Sequence, residues 1–243
     1  MRIGIFSDVH ANIEALTEVL RALRARDVEQ FVCLGDVIGY GADPEPCIRA
    51  IREVTTHTIL GNHDAAGCGR MNLNEYYAEA REAIVYSWGR LGEEDRSWIR
   101  SLPYSVRQDD ILFCHGAPHA PEHFEYLFSE EQAEDYRQDF ATLPGVTFIG
   151  HSHLTVGFAL TPKHVAGFVE PEVRLQKGSK YIFTVGSVGQ PRDRDTRAAC
   201  VVFDTTDQRV EYVRVPYDIS ATQRKILAAG LPPQFAQRLQ LGM

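Results

Sequence analysis

The 243-residue chain lacks a CxxC pair, and its cysteines number an odd five: Cys33, Cys47, Cys68, Cys114 and Cys200. That spacing points away from thiolate zinc sites and from a disulfide framework. Cys33 and Cys114 fall inside apolar runs and read as small buried hydrophobes. No apolar stretch approaches the roughly 20 residues that cross a bilayer as a helix, so no membrane association is expected. The opening run MRIGIFSDVH meets an acid and a histidine too soon for a signal peptide. Basic residues are outnumbered, 25 Lys and Arg against 33 Asp and Glu, for a net charge of −8. A protein that coats nucleic acid needs a basic surface, so long nucleic acid is not the expected partner. A small phosphorylated substrate is still permitted, because bound cations reverse the field locally. There is no internal repeat, low-complexity segment or evident linker. A reduced, cytoplasmic enzyme is expected, long enough to bury a core without staples.

Short apolar runs alternate with helical patterns over the first two-thirds of the chain. Arg2–Phe6 reads as a strand, and Ile13–Arg24 as a helix from Ile13, Leu16, Val19, Leu20 and Leu23. Phe31–Leu34 and Thr56–Leu60 read as further strands, with a helix opened by Pro44 and running through Arg52 between them. This alternation predicts βαβ units and a largely parallel sheet. Leu73–Leu102 reads as two helices broken near Gly92, forming part of a cap or insertion at about 65–103 within one domain spanning 1–243. Val106–Gln108 and Ile111–Cys114 form a hairpin turned at Asp109-Asp110. Ser129 caps a helix running to Ala141, and Val146–Ile149 is another strand. Thr155–Thr161, Tyr181–Val185, Ala199–Asp204 and Arg209–Val215 then follow as strands without intervening helices, which predicts antiparallel or mixed sheet. Helical segments near Ser220–Ala229 and Pro232–Leu241 complete the pattern.

The polar residues that matter follow the strands. IGIF is followed by Ser7-Asp8-Val9-His10, FVCLG by Asp36, HTIL by Gly61-Asn62-His63-Asp64, ILFC by His115, and VTFIG by His151-Ser152-His153. Sites in α/β sheets form at the carboxyl ends of strands, and parallel strands of one sheet would bring these five ends to one rim. Asp8 and His10, like His151 and His153, are two apart, a spacing that sends both side chains the same way in extended backbone. Asp8, His10, Asp36, Asn62, His115, His151 and His153 supply carboxylate, imidazole and amide but no thiolate. Such a set suits Mn²⁺, Fe²⁺ or Zn²⁺ better than Ca²⁺ or Mg²⁺. The donors exceed the needs of one ion and divide between two if Asp36 bridges.

The series Asp8-x-His10, Gly35-Asp36, Gly61-Asn62-His63-Asp64, His115 and Gly150-His151-Ser152-His153 resembles the calcineurin-like metallophosphoesterase superfamily. Gly186-Ser187-Val188-Gly189-Gln190-Pro191-Arg192 and the AGLPPQFAQRL stretch resemble its small bacterial phosphodiesterase-like branch. The resemblance implies an α/β fold, a four-layer α/β/β/α sandwich of two mixed sheets with flanking helices. It implies two divalent ions, manganese first, with iron, zinc or nickel as alternatives. Asp8, His10, Asp36 and His153 would hold one ion; Asp36, Asn62, His115 and His151 the other. His63 would be the catalytic histidine near the leaving group, oriented by Asp64. The GDxxDRG of protein Ser/Thr phosphatases is absent: Gly35-Asp36 runs into Val37-Ile38-Gly39-Tyr40-Gly41, and the position before Gly61 is Leu60 rather than arginine.

The expected activity is hydrolysis of small phosphodiesters, with a nucleotide among the candidate substrates, by a metal-activated hydroxide. His63, paired with Asp64 and so held cationic, would assist the leaving alkoxide. A phosphomonoesterase or protein phosphatase is the alternative, and a non-catalytic metal-binding scaffold is the second. Arg192 and Tyr40 are candidate substrate contacts, with Arg194 and Arg197 as weaker ones. Tyr76 and Tyr77 are candidates for a substrate lid. His119 and His123 read as solvent-exposed near the mouth, and His57 and His164 as structural.

Overall fold

The computed structural model describes residues 1–243. Two sheets form its centre. The first contains β1 (Arg2–Phe6), β2 (Gln30–Cys33), β8 (Glu172–Arg174), β10 (Ala198–Asp204) and β11 (Arg209–Val215), in the order β2-β1-β10-β11-β8. The second contains β3 (Ser105–Gln108), β4 (Ile111–Cys114), β5 (Val146–Ile149), β6 (Thr155–Leu160), β7 (Val165–Phe168) and β9 (Lys180–Val185), in the order β3-β4-β5-β9-β6-β7. Both are mixed. β1 with β2, β4 with β5, and β5 with β9 are parallel, while β1 with β10 and β6 with β9 are antiparallel.

Alternation along the strands sorts the layers. Ile3 and Ile5 of β1, Tyr181, Phe183 and Val185 of β9, and Val201 and Phe203 of β10 enter one apolar cluster between the sheets. There Phe148 lies 5.8 Å from Phe113, 5.5 Å from Phe183 and 5.5 Å from Phe203, ring centre to ring centre. The alternate residues face outward. Cys200 and Val202 pack with α1 (Ile13–Arg24) and α2 (Pro44–Val54). Ile182, Phe158 and Leu160 pack with Ala133 of α6 (Glu130–Glu134) and with Tyr136. Helix, sheet, sheet and helix form the four layers expected.

Between α2 and β3 lie α3 (Asn62–Gly67), α4 (Ala78–Arg90) and α5 (Glu93–Ser101). Ala80 and Ala83 of α4 join Ile226 of α7 (Ile219–Ala228) and Phe235 of α8 (Pro233–Leu239) in one cluster around Tyr40. Small residues on α4 allow this close approach.

Several sequence expectations are corrected. Thr56–Leu60 is not a sheet strand. It makes one bridge, Cys33 with Thr58, and the Leu60 N–H then turns away to the Pro103 carbonyl at 2.8 Å. The five strand-end segments do not share one sheet. Those after β1 and β2 belong to the first sheet and those after β4 and β5 to the second, so the rim is formed where two packed sheets end side by side. The helix after Ser129 keeps its capping box but tightens to a 3₁₀ turn over Asp135–Asp139. Gly61 caps α3, so Asn62, His63 and Asp64 form the first turn of a helix. β7 and β8 went unnoticed because they are short, and β8 has charged residues at both ends.

Candidate metal centre

Asp8, His10, Asp36, Asn62, His63, His115, His151 and His153 converge on this rim, each at most 7% exposed. Their backbone explains how. Asp8, His10, Asp36, His151 and His153 all have positive φ, between 46° and 66°. Non-glycine residues seldom adopt this region, although Asp and His are enriched among those that do. The strands end, the chain reverses within a residue or two, and the side chains are thrown inward. Such strain persists only where surrounding contacts fix it. Here they do: the amides of Asp8, His10 and Ala11 donate to the carbonyls of Gly35, Asp36 and Val37. The amides of Val188 and Gly189 donate to the carbonyls of Ser7 and Asp8, and the Ser187 hydroxyl also donates to Asp8. The Gly186–Arg192 segment thus ties the second sheet to the first strand's turn. Gly61 is required where it stands, since a Cβ there would lie 2.1 Å from the Asp36 carboxylate.

The imidazoles are oriented from behind. Nδ1 of His10, His115 and His153 meets the carbonyls of Ile38, Leu34 and Gln190 at 3.1, 2.8 and 2.5 Å. A carbonyl only accepts, so each Nδ1 carries the proton and each Nε2 presents a lone pair to the interior. His10 Nε2 and His153 Nε2 then face one another at 3.2 Å. Two lone pairs at that distance repel unless a cation or proton lies between them. Asp8 Oδ2 accepts from the His151 amide, while Oδ1 has no hydrogen-bond partner and lies 3.2 Å from His153 Nε2. Asn62 donates to the Tyr76 hydroxyl at 2.7 Å, which turns its amide oxygen inward, 3.1 Å from His115 Nε2. Inward lone pairs, an orphaned carboxylate oxygen and no thiolate fit a divalent cation pair.

Donor atoms gather in three groups within 4.8 Å: Asp8, His10 and His153; Asp36, His115 and His151; and His10, Asp36 and His63. The first two share no donor, and Asp36, a member of the second, lies against His10 of the first. The third brings His63 against the donors. Asp36 Oδ1 accepts the His63 backbone N–H at 2.8 Å, while its Oδ2 lies 3.6 Å from His10 Nε2 and 3.5 Å from His115 Nε2.

Asp64 does not pair with the His63 ring. Its carboxylate accepts the backbone N–H groups of Val37, Ile38 and Gly61, clamping the turn after Asp36 to the start of α3. Successive residues of a helix point some 100° apart, so Asp64 turns to the neighbouring loop while His63 faces the rim. Burial and nearby Asp36 push its carboxyl up to about 7, against the pull of the amides. His63 Nδ1 is buried without a partner beside Gly39, whose positive φ and missing Cβ leave it room. Burial lowers His63 to about 4, with Asp36 opposing and Arg192 assisting, so the ring is neutral rather than cationic. Without a cation, His115 moves the other way, to about 9: burial opposes, but Asp36 and Asp8 prevail, so its Nε2 then holds a proton between these carboxylates, where a bound ion would displace it.

Tyr40 and Arg192 reach the site. The Tyr40 ring lies 4.5 Å from His10 and 4.6 Å from His63, and its hydroxyl accepts from Arg192 at 3.4 Å. Arg192 is also held by Gln190. Arg197 is instead paired with Asp195, and Arg194 is exposed. His119 packs at a tilt against Tyr136 beside Asp139; His57 and His164 lie in irregular segments elsewhere.

A cavity of about 300 Å³ opens onto Asn62, His63 and His151, with Tyr40, Tyr76, Tyr77, Phe124 and Tyr126 among its walls. Tyr126 lies flat on His151, 3.9 Å between centres at 18°. Nothing periodic in the sequence around Tyr126 marks it, because it lies in an irregular loop.

Over residues 1–208 the chain matches the description of a calcineurin-like phosphoesterase superfamily domain. An uncharacterized protein of Methanocaldococcus jannaschii is 34% identical over 244 residues, covering 99% of this chain and 98% of that one. The crystal structure of a metallophosphoesterase from Sphaerobacter thermophilus is 35% identical with a TM-score of 0.87, covering 100% and 99% of the two chains. A hypothetical protein from Pyrococcus horikoshii shares the fold at 19% identity and a TM-score of 0.79, over 100% and 98%.

Proposed function

The chain belongs to the calcineurin-like phosphoesterase superfamily, a family of metal-dependent phosphoric ester hydrolases, and from that premise we propose that it hydrolyses small phosphodiesters at a two-metal centre. The observation that carries the metal centre is the pair of imidazole Nε2 atoms of His10 and His153, facing at 3.2 Å beside the orphaned Asp8 Oδ1. Asp8, His10, Asp36 and His153 would hold one ion and Asp36, Asn62, His115 and His151 the other. When bound, two divalent ions supply Lewis acidity, acidifying water from a pKa of about 15.7 toward about 7 and drawing charge from phosphoryl oxygens. Manganese is the first ion to test, followed by iron, zinc and nickel.

The chain's own residues do the rest. His63, neutral through burial, donates a hydrogen bond from one ring nitrogen to the leaving oxygen as charge develops there. Gly39 and the Tyr40 ring hold that imidazole in place. Asp64 acts at one remove, fixing the backbone that carries Asp36 and His63. Arg192 brings a single guanidinium to the site. One fixed cation suits the single negative charge of a diester better than the double charge of a monoester, and this favours the diesterase over the phosphatase. The segment at about 65–103 serves as a cap within one domain spanning 1–243. The five unpaired thiols suit the reducing cytoplasm.

The test is turnover of a nitrophenyl phosphodiester and of the matching monoester by chelator-stripped protein reloaded with single metals. Metal-dependent cleavage of the diester in preference to the monoester, lost in His63→Ala, supports the proposal. Preference for the monoester moves the assignment to a phosphatase. No turnover with both sites loaded removes the catalytic assignment and leaves the scaffold.

A further inference from the structure

The cavity beside the metal centre has an unusual lining for an enzyme of phosphate esters. Among its ten residues are five aromatic rings, Tyr40, Tyr76, Tyr77, Phe124 and Tyr126, and no lysine or arginine. Its one carboxylate is Glu75. Arg192 lies outside it, bonded to the Tyr40 hydroxyl. A second phosphate would therefore meet a carboxylate and π faces, with the nearest guanidinium, Arg192, already engaged by Tyr40 and Gln190. An uncharged planar group would meet surfaces on which it can stack.

Two of the rings are poised for that. Tyr77 and Tyr126 are large, apolar-bodied and yet 47% and 48% exposed. They stand on different segments, Tyr77 just before α4 and Tyr126 in the loop after β4. Each is anchored to the site: Tyr126 by the flat face of His151, and Tyr77 at its tip, where its hydroxyl donates to that of Tyr40 at 3.5 Å. Tyrosines with free faces, anchored in this way and bordering one cavity, form a stacking platform of the kind that accepts bases without reading their sequence. A volume of about 300 Å³ is at the small end of ligand pockets, enough for one ring system and not for an extended chain.

We infer that this cavity binds a planar, uncharged aromatic substituent of the phosphodiester, the chemistry a nucleobase or an aryl group offers, with Tyr77 and Tyr126 as its specificity-determining residues. This rests on the phosphodiesterase reading of the adjacent centre. It also separates substrates. A diester carrying one nucleoside is accepted, and lengthening the phosphate chain adds nothing.

The experiment is competition and direct titration on the manganese-loaded protein, using thymidine 5′-monophosphate, thymidine 5′-diphosphate, phenyl phosphate, methyl phosphate and inorganic phosphate. Thymidine 5′-monophosphate and phenyl phosphate should bind about 5- to 100-fold tighter than methyl phosphate. The diphosphate should bind no tighter than the monophosphate. In Tyr77→Leu and Tyr126→Leu the ratio of aromatic to methyl affinity should collapse toward one, with metal content measured in each variant. Tyr77→Leu touches no candidate ligand, and Tyr126→Phe should restore the ratio. Equal affinities for the aromatic and methyl compounds, or a ratio unmoved in both Leu variants, would overturn the inference. Tight binding of the phenyl compound alone assigns the cavity to aryl groups, and comparable binding of both assigns it to any planar ring. Because the titration needs no turnover, an inactive protein that still prefers aromatic phosphates would sink the catalytic proposal and leave this one standing.

Discussion

The space between the sheets and the rim where they end are built from the same strands by opposite rules. Between the sheets, Phe113, Phe148, Phe183 and Phe203 stack with no polar atom to satisfy. A few residues farther along, the rim buries Asp8, Asp36, His63 and four other histidines, strains five of these residues to positive φ, and leaves polar atoms without partners. Buried charge and left-handed backbone are each destabilising. The rim can be so disposed because the core bears the stability. Function and folding are thereby carried by different residues of the same strands.

That division can be broken at either side. The largest effect is expected at the rim. Asp36→Asn, or removal of metal by chelator, should lower phosphodiester turnover by about 10³-fold or more, because Asp36 stands beside both donor groups. His63→Ala should lower it about 10²- to 10⁴-fold. Both variants should keep native far-UV circular dichroism; unfolding instead would show that the rim carries stability after all. On the other side, Phe148→Ala should cost about 3–5 kcal/mol in chemical denaturation. Turnover per folded molecule should remain near that of the parent.

Asp64→Asn falls between the two and sharpens the line. If Asp64 clamps backbone, the variant loses about 1–3 kcal/mol of stability as the amides of Val37, Ile38 and Gly61 lose one of the two oxygens that accept from them. Activity then falls through disturbed metal affinity and recovers at high metal concentration. A stable Asp64→Asn protein that mimics His63→Ala and ignores added metal would return Asp64 to the role of orienting the histidine. The smallest effect concerns thiols. Burial pushes Cys114 and Cys200 up to about 12 and raises Cys33 and Cys47 as well, whereas Cys68 is half-buried. In the native protein one thiol, Cys68, should react with a disulfide reagent, and all five should react after unfolding.

The sequence made the rim legible because each donor directly follows an apolar run, and a buried strand has few ways to end. Asp8, His10, Asp36, Asn62, His115, His151 and His153 were found in this way, and they converge. What escaped was set by tertiary packing. That the strand ends come from two sheets depends on β10 inserting beside β1, a pairing of residues some two hundred apart. The role of Asp64 was misread because adjacent residues suggest a pair, whereas a helical turn sends their side chains apart. Tyr126 carried no signal, since an irregular loop has no period to read. The Gly186–Arg192 segment was recognised by resemblance, but its task of binding the turn at Asp8 appears only in the hydrogen bonds.

The position of β1 also has a consequence in time. It is synthesised some two hundred residues before β10, yet on one edge the two pair, Arg2 facing Asp204 and Ile5 facing Val201. His153 is held by the carbonyl of Gln190, and Tyr40 is backed at 4.8 Å by Phe235 of the last helix. A nascent chain thus carries Asp8, His10 and Asp36 until residues 151–190 and β10 have followed, without the partners that shape them into a site. Such long-range closure slows folding. It also means that a metal ion arriving early finds scattered side chains rather than a centre. An ion that binds here would meet the donor set of the completed fold.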